Sequence, residues 1–331
     1  MAAIKSGAGS VYFGVGSLNM RSRSAKFSIE DLEKVAKICE ENDVKSYLAL
    51  NTVMYDEDLD EVKKICDLAK EKGISAVIAS DTSVIQYANS VGLEVHMSTQ
   101  TNISNTEAVK FYSKFADVIV LARELSLDQI KTVCEKIRKD EIKGPSGNLV
   151  EIEVFIHGAL CVSISGKCYM SLATYEHSAN RGACLQNCRR KYRVTDDETG
   201  QELIVDNKYI MSPKDLCTIG MIDKLIDAGV KIFKIEGRAR GPEYVSTVTR
   251  VYKEAIEAVK SSTYTKTKIE KWREELKTVF NRGFWENGYY LGKKTGEWSG
   301  AYGSKATTEK IQVGKVIHFF GKNNVAEIAV E

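Results

Sequence analysis

The chain has 331 residues, 43% hydrophobic and 28% charged, which is typical of a soluble globular protein with a full hydrophobic core. Its 47 basic and 45 acidic side chains nearly cancel, so overall charge indicates neither a nucleic-acid nor a membrane partner. No run of about 18 consecutive apolar residues occurs, and the first residues lack the basic and apolar regions of a signal peptide. We therefore expect no membrane insertion and a cytoplasmic location.

Short β-branched apolar runs alternate with longer amphipathic segments along the first 260 residues. The runs with the composition of strands are 10–15, 45–51, 75–80, 93–98, 116–121, 151–158 and 231–237. The segments with helical periodicity are 28–42, 56–72, 82–91, 104–114, 126–140, 213–228 and 242–260. Repeated strand–helix units of this kind predict an α/β fold with a mostly parallel sheet.

Seven such strands approach the eight strand–helix units of a TIM-like (β/α)8 barrel. Residues 1–4 have the pattern of the end of a helix, so we expect a barrel that lacks its first strand in this chain. On that count the run 151–158 is the seventh barrel strand. A doubly wound open sheet is the alternative, but no GxGxxG phosphate turn follows an early strand. The barrel domain is predicted to span residues 1–262.

The pattern changes after the predicted barrel. Residues 263–308 are expected to form a helix, over 268–284, and an extended linker rich in glycine and aromatic residues. Residues 310–320 and 324–331 alternate apolar and polar side chains, as two strands do. Residues 309–331 are therefore predicted to be the start of a small, incomplete β-barrel-like module.

About fifty residues with little periodicity, 158–212, follow the predicted seventh strand. Loops of this length are usually functional or disordered, and active sites of TIM barrels lie at the carboxyl ends of the strands. Half of the chain's eight cysteines lie in this insertion, with the spacing C-x6-C-x15-C-x3-C: Cys161, Cys168, Cys184 and Cys188. Thiols stay reduced in the cytosol, so a metal centre is favoured over disulfides.

Four thiolates are the usual ligands of a tetrahedral zinc ion or of a 4Fe–4S cluster. Zinc ribbons prefer tight C-x2-C pairs, so the unequal spacing favours the 4Fe–4S cluster, with zinc as the alternative. Packing of the thiols as small apolar side chains and a pair of disulfides are the less favoured interpretations. Cys217 could replace one ligand, although we expect it to pack in the core.

Several stretches of this sequence resemble the collagenase-like peptidase family U32. The matching stretches include EVFIHGALC (153–161), SGKCYMS (165–171), SANRGACLQNCR (178–189), MSPKDL (211–216) and KIEGR (234–238). VYFGVGSLNMRSR (11–23) and STQTN (98–102) are similar as well, so the resemblance covers essentially the whole chain. It implies a TIM-like barrel whose first strand carries an acidic motif that is absent from this sequence.

The resemblance also implies a function. Members of the family resemble oxygen-independent hydroxylation proteins with a four-cysteine 4Fe–4S site, acting on tRNA uridine with prephenate as hydroxyl donor, on rRNA cytidine, or on the ubiquinone ring. The cysteine pattern is similar to that of the RNA-modifying branches, because Cys188 stands where the quinone branch has its last ligand displaced. We therefore expect an enzyme that converts tRNA wobble uridine to 5-hydroxyuridine with a prephenate-like donor; rRNA is the alternative partner.

The basic run that follows the last cysteine is a candidate RNA-binding segment. Arg189 and Tyr192 could hold a phosphate and stack on a base, although a solvated basic loop is equally compatible with the run. Lys214 and Asp215 lie at the start of a predicted helix, where an anion is favoured. Gln100, at the end of another predicted strand, is a weaker substrate-binding candidate.

The last predicted barrel strand carries three charged residues that alternation turns the same way: Lys234, Glu236 and Arg238. Lys234 and Glu236 are candidate catalytic residues and Arg238 a candidate substrate ligand, with a structural ion-pair network as the alternative. His157, at the end of the seventh strand, could transfer protons, or it could be a core histidine. Arg21 and Arg23 could bind a carboxylate of prephenate bidentately.

Other functions remain open at this point. The sequence contains neither HExxH nor GxSxG, and its four histidines show no helical metal-binding spacing, which disfavours a peptidase. A dyad of Cys161 and His157 would still allow proteolysis. The remaining alternatives are an iron–sulfur subunit of a quinone hydroxylation complex, which needs a protein partner, and a non-catalytic scaffold.

Overall fold

The computed structural model describes residues 1–20, 22, 27–203, 209–237, 239–292, 297–309, 311 and 313–330. The strands in these ranges are β1 Ser10–Phe13, β2 Lys45–Leu50, β3 Ala76–Ala79, β4 Glu94–Met97, β5 Val118–Val120, β6 Glu151–Gly158, β7 Val194–Thr195, β8 Glu202–Leu203, β9 Asp215–Cys217, β10 Ile232–Ile235, β11 Phe284–Glu286, β12 Gly314–Phe320 and β13 Val325–Val330. The helices are α1 Ala2–Lys5, α2 Leu32–Glu40, α3 Leu59–Glu71, α4 Thr82–Ser90, α5 Thr106–Tyr112, α6 Leu127–Lys139, α7 Met170–Tyr175, α8 Ile222–Asp227, α9 Pro242–Lys260 and α10 Lys266–Lys277.

A mostly parallel sheet forms the centre of the molecule. In the described part of the chain its strand order is β1-β2-β3-β4-β5-β6-β9-β11, and β10 also pairs with β6. Only the short contact between β6 and β9 is antiparallel among these pairs. The prediction of an α/β fold with a mostly parallel sheet is confirmed.

The sheet is open between β1 and β10. Over the described residues β1 pairs with β2 and β10 with β6, and the two strands do not pair with each other. A groove lies between them, lined by apolar side chains that include Phe13, Phe27 and Phe233. A closed barrel is therefore not observed, and the TIM-like barrel stays a prediction.

Local sequence accounts for most of these elements. β3 is buried along its whole length, as expected of a parallel strand covered on both faces. Side-chain caps begin several helices: Asp81 Oδ1 accepts a hydrogen bond of 2.9 Å from the Ser83 amide, and Ser126 and Gln129 form a capping box on α6. The helices bury their apolar faces against the sheet, and Ile65 and Ile130 are fully buried there.

The predicted helix 213–228 is wrong in its first half. Residues Asp215–Cys217 form β9, which pairs with β11 on one side and with β6 on the other. The helix α8 begins only at Ile222. Because all three β9 residues are buried, burial between two strands overrides the helix-start signal of Ser212 and Pro213.

The C-terminal part agrees with the predicted pattern more closely. The predicted strands 310–320 and 324–331 correspond to β12 and β13, which form an antiparallel hairpin whose side chains are nearly all exposed. The predicted helix 268–284 corresponds to α10 up to Lys277, but its end is wrong, because β11 begins at Phe284. Part of the predicted extended linker is a 3-10 turn, Gly288–Leu291. Within the described ranges, no helix combines the length and apolar character needed to cross a bilayer.

Candidate functional site

The cysteine-rich segment covers a cavity of about 210 Å³ at the carboxyl ends of the parallel strands. All four of its cysteines line this cavity, which we call the cysteine cavity: Cys161, Cys168, Cys184 and Cys188. Strands β1, β6 and β10 and the loops after β2, β4 and β5 contribute the other wall, with Tyr12, Asn51, Gln100, Arg123, His157, Lys234 and Glu236. The segment therefore lies over the end of the sheet where parallel-sheet enzymes bind substrates.

The four thiols are free and electrostatically coupled. None forms a disulfide, and Cys161 is exposed while the other three are partly buried. Burial raises the pKa of Cys188 to about 11, and the other three cysteines add to this shift, whereas Arg189 opposes it. Burial also raises the pKa of Cys168, with contributions from Cys161 and Cys184. Burial therefore favours the neutral thiol form of Cys168 and Cys188.

The thiols share a cavity but do not already converge on one point. Among the residues that the structure describes, no three His, Cys, Asp or Glu side chains are arranged to hold a metal ion. The donor set itself suits a soft metal, since thiols become good ligands once a bound cation displaces their protons. Cys217 is buried elsewhere, against Tyr252, with its pKa raised by burial to about 11.

An ion pair holds the cysteine-rich segment to the loop after β2. Arg181 pairs with Asp58, donates a hydrogen bond of 2.9 Å to the Val53 carbonyl, and lies 4.2 Å from the centre of the Tyr55 ring. The hydrogen bond from Arg181 holds the pKa of Asp58 below its usual range. The Val53 amide in turn donates to the Asn180 carbonyl at 3.1 Å, so this attachment involves both backbone and side chains.

Close backbone approaches add to this attachment. Gly182 has φ +86°, and a Cβ atom there would overlap the carbonyl oxygen of Asn19. On the other side of the cavity, Asn102 Nδ2 donates to the Ser165 carbonyl at 3.0 Å, and Arg123 donates to the Ser163 carbonyl at 3.3 Å. The segment is therefore fixed at several points on the strand ends.

Arg189 is largely occupied with the protein's own backbone. Its guanidinium donates to the carbonyl oxygens of Leu160 and Pro213 and to Ser212 Oγ. Burial lowers its pKa, and the charge of Arg282 contributes. Tyr192 donates to the Asn187 carbonyl at 2.9 Å. The predicted substrate-binding roles of Arg189 and Tyr192 thus compete with structural ones.

The other members of the basic run, 190–193, reach the surface. Arg190 lies 5.2 Å from the centre of the Tyr175 ring and donates to its hydroxyl, and Lys191 lies 5.8 Å from the Tyr209 ring centre. Tyr169, directly after Cys168, is 68% exposed. Aromatic and basic groups therefore stand together at the edge of the cysteine cavity.

The two candidate catalytic residues on and after β10 both face the cavity. Lys234 forms a buried ion pair with Glu153 on β6, with 2.7 Å between Nζ and Oε1, and lies 4.7 Å from the Tyr12 ring centre. Glu236 is 8% exposed and accepts a hydrogen bond of 3.4 Å from the Tyr12 hydroxyl. The alternation of the strand thus places both side chains at the site, and Lys234 also has the structural partner that the alternative interpretation requires.

His157 lies beneath the cavity and is 1% exposed. Burial lowers its pKa to about 3, so the ring is neutral at physiological pH. Its Nδ1 is 3.2 Å from the hydroxyl of Tyr252, which also bonds to the Ile156 carbonyl and the Thr218 amide. This environment favours the interpretation of His157 as a core histidine.

Of the remaining predicted residues, one lines the cysteine cavity and two form ion pairs. Gln100 lines the cavity and accepts a hydrogen bond of 3.2 Å from Asn51. Lys214 pairs with Glu297 at 2.6 Å, and buried Asp215 pairs with Arg282 at 3.3 Å. Neither lies at a helix start, because that segment is a strand. Three predicted residues lie outside the described ones: Arg21, Arg23 and Arg238.

Sequence reasoning missed three arginines that line the cavity: Arg123, Arg240 and Arg282. Arg240 and Arg282 both lie close to one aromatic residue, with their guanidinium carbons 3.7 and 5.0 Å from the Phe280 ring centre. They belong to segments 42 positions apart in the chain. No local pattern links such positions, and only the fold brings them together.

The model of peptidase family U32 matches residues 1–300 of this chain, which include the cysteine cavity and the whole parallel sheet. The chain belongs to peptidase family U32. The predicted resemblance is therefore confirmed, and the stretches that carry it surround the cavity.

Curated relatives within the U32 family carry two kinds of name. A collagenase of Porphyromonas gingivalis is 60% identical over 332 residues, which cover 100% of this chain and 80% of that protein. The tRNA hydroxylation protein P1 of Bacillus subtilis is 32% identical, covering 85% of this chain and 65% of that protein. A 23S rRNA 5-hydroxycytidine synthase of Escherichia coli is 35% identical, covering 78% of this chain and 37% of that protein.

Proposed function

We propose that this U32 protein is an iron–sulfur-dependent RNA hydroxylase that converts tRNA wobble uridine to 5-hydroxyuridine without oxygen, with a prephenate-like hydroxyl donor. The observation that carries the proposal is the cysteine cavity, in which four free thiols face cationic side chains at the carboxyl ends of the strands. The names of the tRNA and rRNA relatives support RNA as the substrate.

Cys161, Cys168, Cys184 and Cys188 would hold a 4Fe–4S cluster. The chemistry of the donor set fits this group, since four thiolates are its usual ligands and the glycine-containing backbone around them can close on it. When bound, such a cluster supplies one-electron transfer. Zinc is the alternative occupant of the same thiols.

The reaction exchanges a hydrogen for a hydroxyl group. The C5–H bond of the uracil breaks and a C5–OH bond forms, which oxidises the base by two electrons. The donor gives up its hydroxyl group and takes the hydrogen in its place, so it is reduced by the same two electrons and no oxygen is needed. The task of the protein is to hold the base and the donor side by side and to exclude water.

The rim of the cysteine cavity offers a surface for a single-stranded nucleotide. Exposed Tyr169 and the Tyr175–Arg190 pair present flat aromatic and guanidinium groups of the kind on which unpaired bases stack. Arg190 and Lys191 are exposed nearby and could contact phosphates, whereas Arg193 pairs with Glu202 at 3.2 Å. A base taken from a tRNA loop would enter the cavity past this rim.

Inside the cavity, Glu236 and Lys234 are the residues that would act on the base. Glu236, with the Tyr12 hydroxyl beside it, is a carboxylate placed to take a proton from the substrate. Lys234 is oriented by its ion pair with Glu153, and we assign it to positioning substrate oxygen atoms. His157 is assigned no proton transfer, because its ring is buried and neutral.

Nucleoside mass spectrometry of tRNA from a strain in which the gene is deleted tests the proposed function. We expect the 5-hydroxyuridine derivatives to disappear, to return with the wild-type gene, and to stay absent with the Cys168→Ser gene. Unchanged tRNA with loss of rRNA 5-hydroxycytidine would move the substrate to rRNA. Unchanged tRNA and rRNA together would overturn RNA hydroxylation.

A peptidase is the second candidate, because a relative at 60% identity is named collagenase. The geometry gives this candidate little support: the hydrogen bond of His157 goes to Tyr252 rather than to Cys161. The decisive measurement is hydrolysis of gelatin by purified protein before and after removal of the metal. Hydrolysis that persists in the Cys168→Ser variant and stops in the Cys161→Ser variant would support the peptidase.

A further inference from the structure

One wall of the cysteine cavity carries a side-chain amide whose orientation is fixed. Gln100 follows β4, and its Oε1 accepts a hydrogen bond of 3.2 Å from Asn51 Nδ2 and another from the Ser98 hydroxyl. In the described part of the chain, every hydrogen bond of the Gln100 side chain ends at this oxygen. The hydrogens on Nε2 are therefore left to donate to an occupant of the cavity, which Gln100 lines.

The hydrogen bonds that orient this amide begin at a backbone group. The Met20 amide can only donate, and it donates to Asn51 Oδ1 at 3.2 Å. The Nδ2 end of Asn51 is thereby left to donate to Ser98 Oγ at 3.3 Å and to Gln100. If the Gln100 amide were turned over, its Nε2 would face Asn51 Nδ2, and two donors would oppose each other. Gln100 therefore offers the cavity a donor and no acceptor.

The Gln100 side chain is also confined by its packing. A Cβ atom at Gly166 would lie 3.1 Å from both Cβ and Cγ of Gln100, so the backbone of the cysteine-rich segment packs directly on this side chain. Asn102 Nδ2 donates to the carbonyl oxygens of Gln100 at 2.9 Å and of Ser165 at 3.0 Å, which joins the same two segments. A polar group held in one orientation by its neighbours can distinguish between ligands, because it does not adapt to each of them.

Uracil and cytosine differ at the group that such an amide would meet. Position 4 of uracil is a carbonyl oxygen, which accepts hydrogen bonds, whereas position 4 of cytosine is an amino group, which donates them. This position is next to C5, the carbon that is hydroxylated, and lies across the ring from N1, which carries the ribose. Because the ribose stays at the mouth of the cavity, the C4–C5 edge of the base enters first, towards the segment on which Gln100 packs.

We propose that Gln100 selects uracil over cytosine by donating a hydrogen bond from Nε2 to O4 of the base. This inference rests on the proposed function, which supplies an RNA pyrimidine as the substrate, and it adds the residue that decides between a uridine and a cytidine target. Cytosine would bring its amino group against Nε2, and both donors would lack an acceptor. Asn51 and Ser98 are positioning residues, because they act on the base through Gln100.

Binding of two tRNA transcripts that differ only in the wobble base, U or C, tests the inference. The protein is purified without oxygen and with its metal, and fluorescence anisotropy gives the two dissociation constants. We expect the wild type to bind the U transcript about tenfold to a hundredfold more tightly, because the C transcript leaves buried donors without an acceptor. In Gln100→Leu this ratio should fall to about one, while both transcripts still bind through the rim of the cavity.

The variant Asn51→Asp should reverse the preference. Its side chain keeps the acceptor for the Met20 amide but has an oxygen in place of Nδ2, so Ser98 and Gln100 must donate to it. The Gln100 amide then turns over and presents Oε1 to the cavity, and the C transcript should bind more tightly than the U transcript. If Asn51→Asp fails to fold, as measured by circular dichroism, Gln100→Leu carries the test.

The matched control is Gln86→Leu, which changes an exposed glutamine of α4. Its ratio of dissociation constants should equal that of the wild type. Equal affinity of the wild type for the two transcripts, or a ratio that is unchanged in Gln100→Leu, would overturn the inference. A folded Asn51→Asp variant that still prefers the U transcript would overturn it as well.

Failure of this inference and failure of the proposed function give different results. Equal binding of both transcripts, with loss of 5-hydroxyuridine in the deletion strain, would leave the hydroxylase standing and remove the role of Gln100. A preference for U that depends on Gln100, with unchanged nucleosides in the deletion strain, would leave base selection standing and remove RNA hydroxylation. No binding of either transcript would remove the inference, whatever the nucleosides show.

Discussion

Lys234 and Glu153 form an ion pair of 2.7 Å within the parallel sheet, where the two residues are 9% and 3% exposed. They lie on neighbouring strands, β10 and β6, so the pair also joins the strand next to the open side to the rest of the sheet. The rings of Tyr12 and Phe155 lie 4.7 and 5.7 Å from the ammonium group. The fold thus holds one cation rigidly at the floor of the cysteine cavity.

We predict that Lys234→Met destabilises the protein by about 3–5 kcal/mol, because Glu153 is left as an uncompensated buried charge. Urea denaturation monitored by circular dichroism measures the change. The double variant Lys234→Met/Glu153→Gln should recover much of the stability but none of the hydroxylation. A double variant as unstable as the single one would show that the charge of Glu153 is not the cause.

The pair of Arg181 and Asp58 is predicted to hold the cysteine-rich segment in place. Asp58→Asn should lower the free energy of unfolding by about 1.5–3 kcal/mol, the range for a hydrogen bond to a charged group, and speed tryptic cleavage of the segment. The pKa of Asp58 is lowered in the folded state, so its contribution is present above the unfolded pKa and is lost as the pH falls through the folded pKa. Asp60→Asn is the control, because Asp60 is exposed and pairs only with Lys63 in the described structure. Equal cleavage rates for both variants would contradict the anchoring role.

The alternating strands and helices of the parallel sheet could be predicted from the sequence, because strand and helix periodicity are local properties. The strands β1 to β6 and β10 fall within their predicted runs, and Cys161 to Cys188 were placed at a strand end by position alone. The strand β9 escaped prediction because only contact with β6 and β11 decides its conformation. A local sequence pattern contains no information about contacts between segments that are distant in the chain.

The cysteines of the candidate site could be predicted from the sequence, but the arginines that line the same cavity could not. Clustered cysteines can be recognised in the sequence itself, whereas Arg240 and Arg282 are recognised only when the fold brings both of them close to Phe280. His157 shows the converse: its position at a strand end suggested chemistry, and only the surrounding Tyr252 and Phe284 rings reveal a core histidine.

Gly182 should not tolerate a side chain, whereas another glycine of the same insertion should. Both Gly182 and Gly200 have positive φ, +86° and +68°, but a Cβ atom at Gly182 would overlap the Asn19 carbonyl and one at Gly200 would meet open space. We expect Gly200→Ala to cost about 1 kcal/mol of backbone strain and Gly182→Ala clearly more. Thermal unfolding of the two variants measures the difference. Equal losses would mean that the segment shifts away from Asn19 without cost.

The buried imidazole of His157 should make folding sensitive to mild acid. Its pKa is lowered to about 3 in the folded state against about 6.5 in an unfolded chain, so its contribution is complete above pH about 6.5 and is lost progressively towards pH 3. His157→Phe should flatten the stability profile in that window while the rate of hydroxylation keeps its pH dependence near neutrality. Tyr252 keeps the Ile156 and Thr218 partners in this variant. The exposed His177, changed to Asn, is the control. A rate profile that changes with His157→Phe would restore its catalytic role.

The last prediction separates the ligand cysteines from the core cysteine. Protein purified without oxygen should contain about four iron atoms per chain, as expected for one cluster, and Cys188→Ser should lose most of this iron. Cys217→Ser should retain it, because Cys217 is buried against Tyr252 and does not line the cysteine cavity in the described structure. Iron, sulfide and zinc analysis of the three proteins measures this. One zinc and no iron in the wild type would exclude the cluster. Loss of iron in Cys217→Ser with retention of iron in Cys188→Ser would make Cys217 the ligand and Cys188 the structural residue.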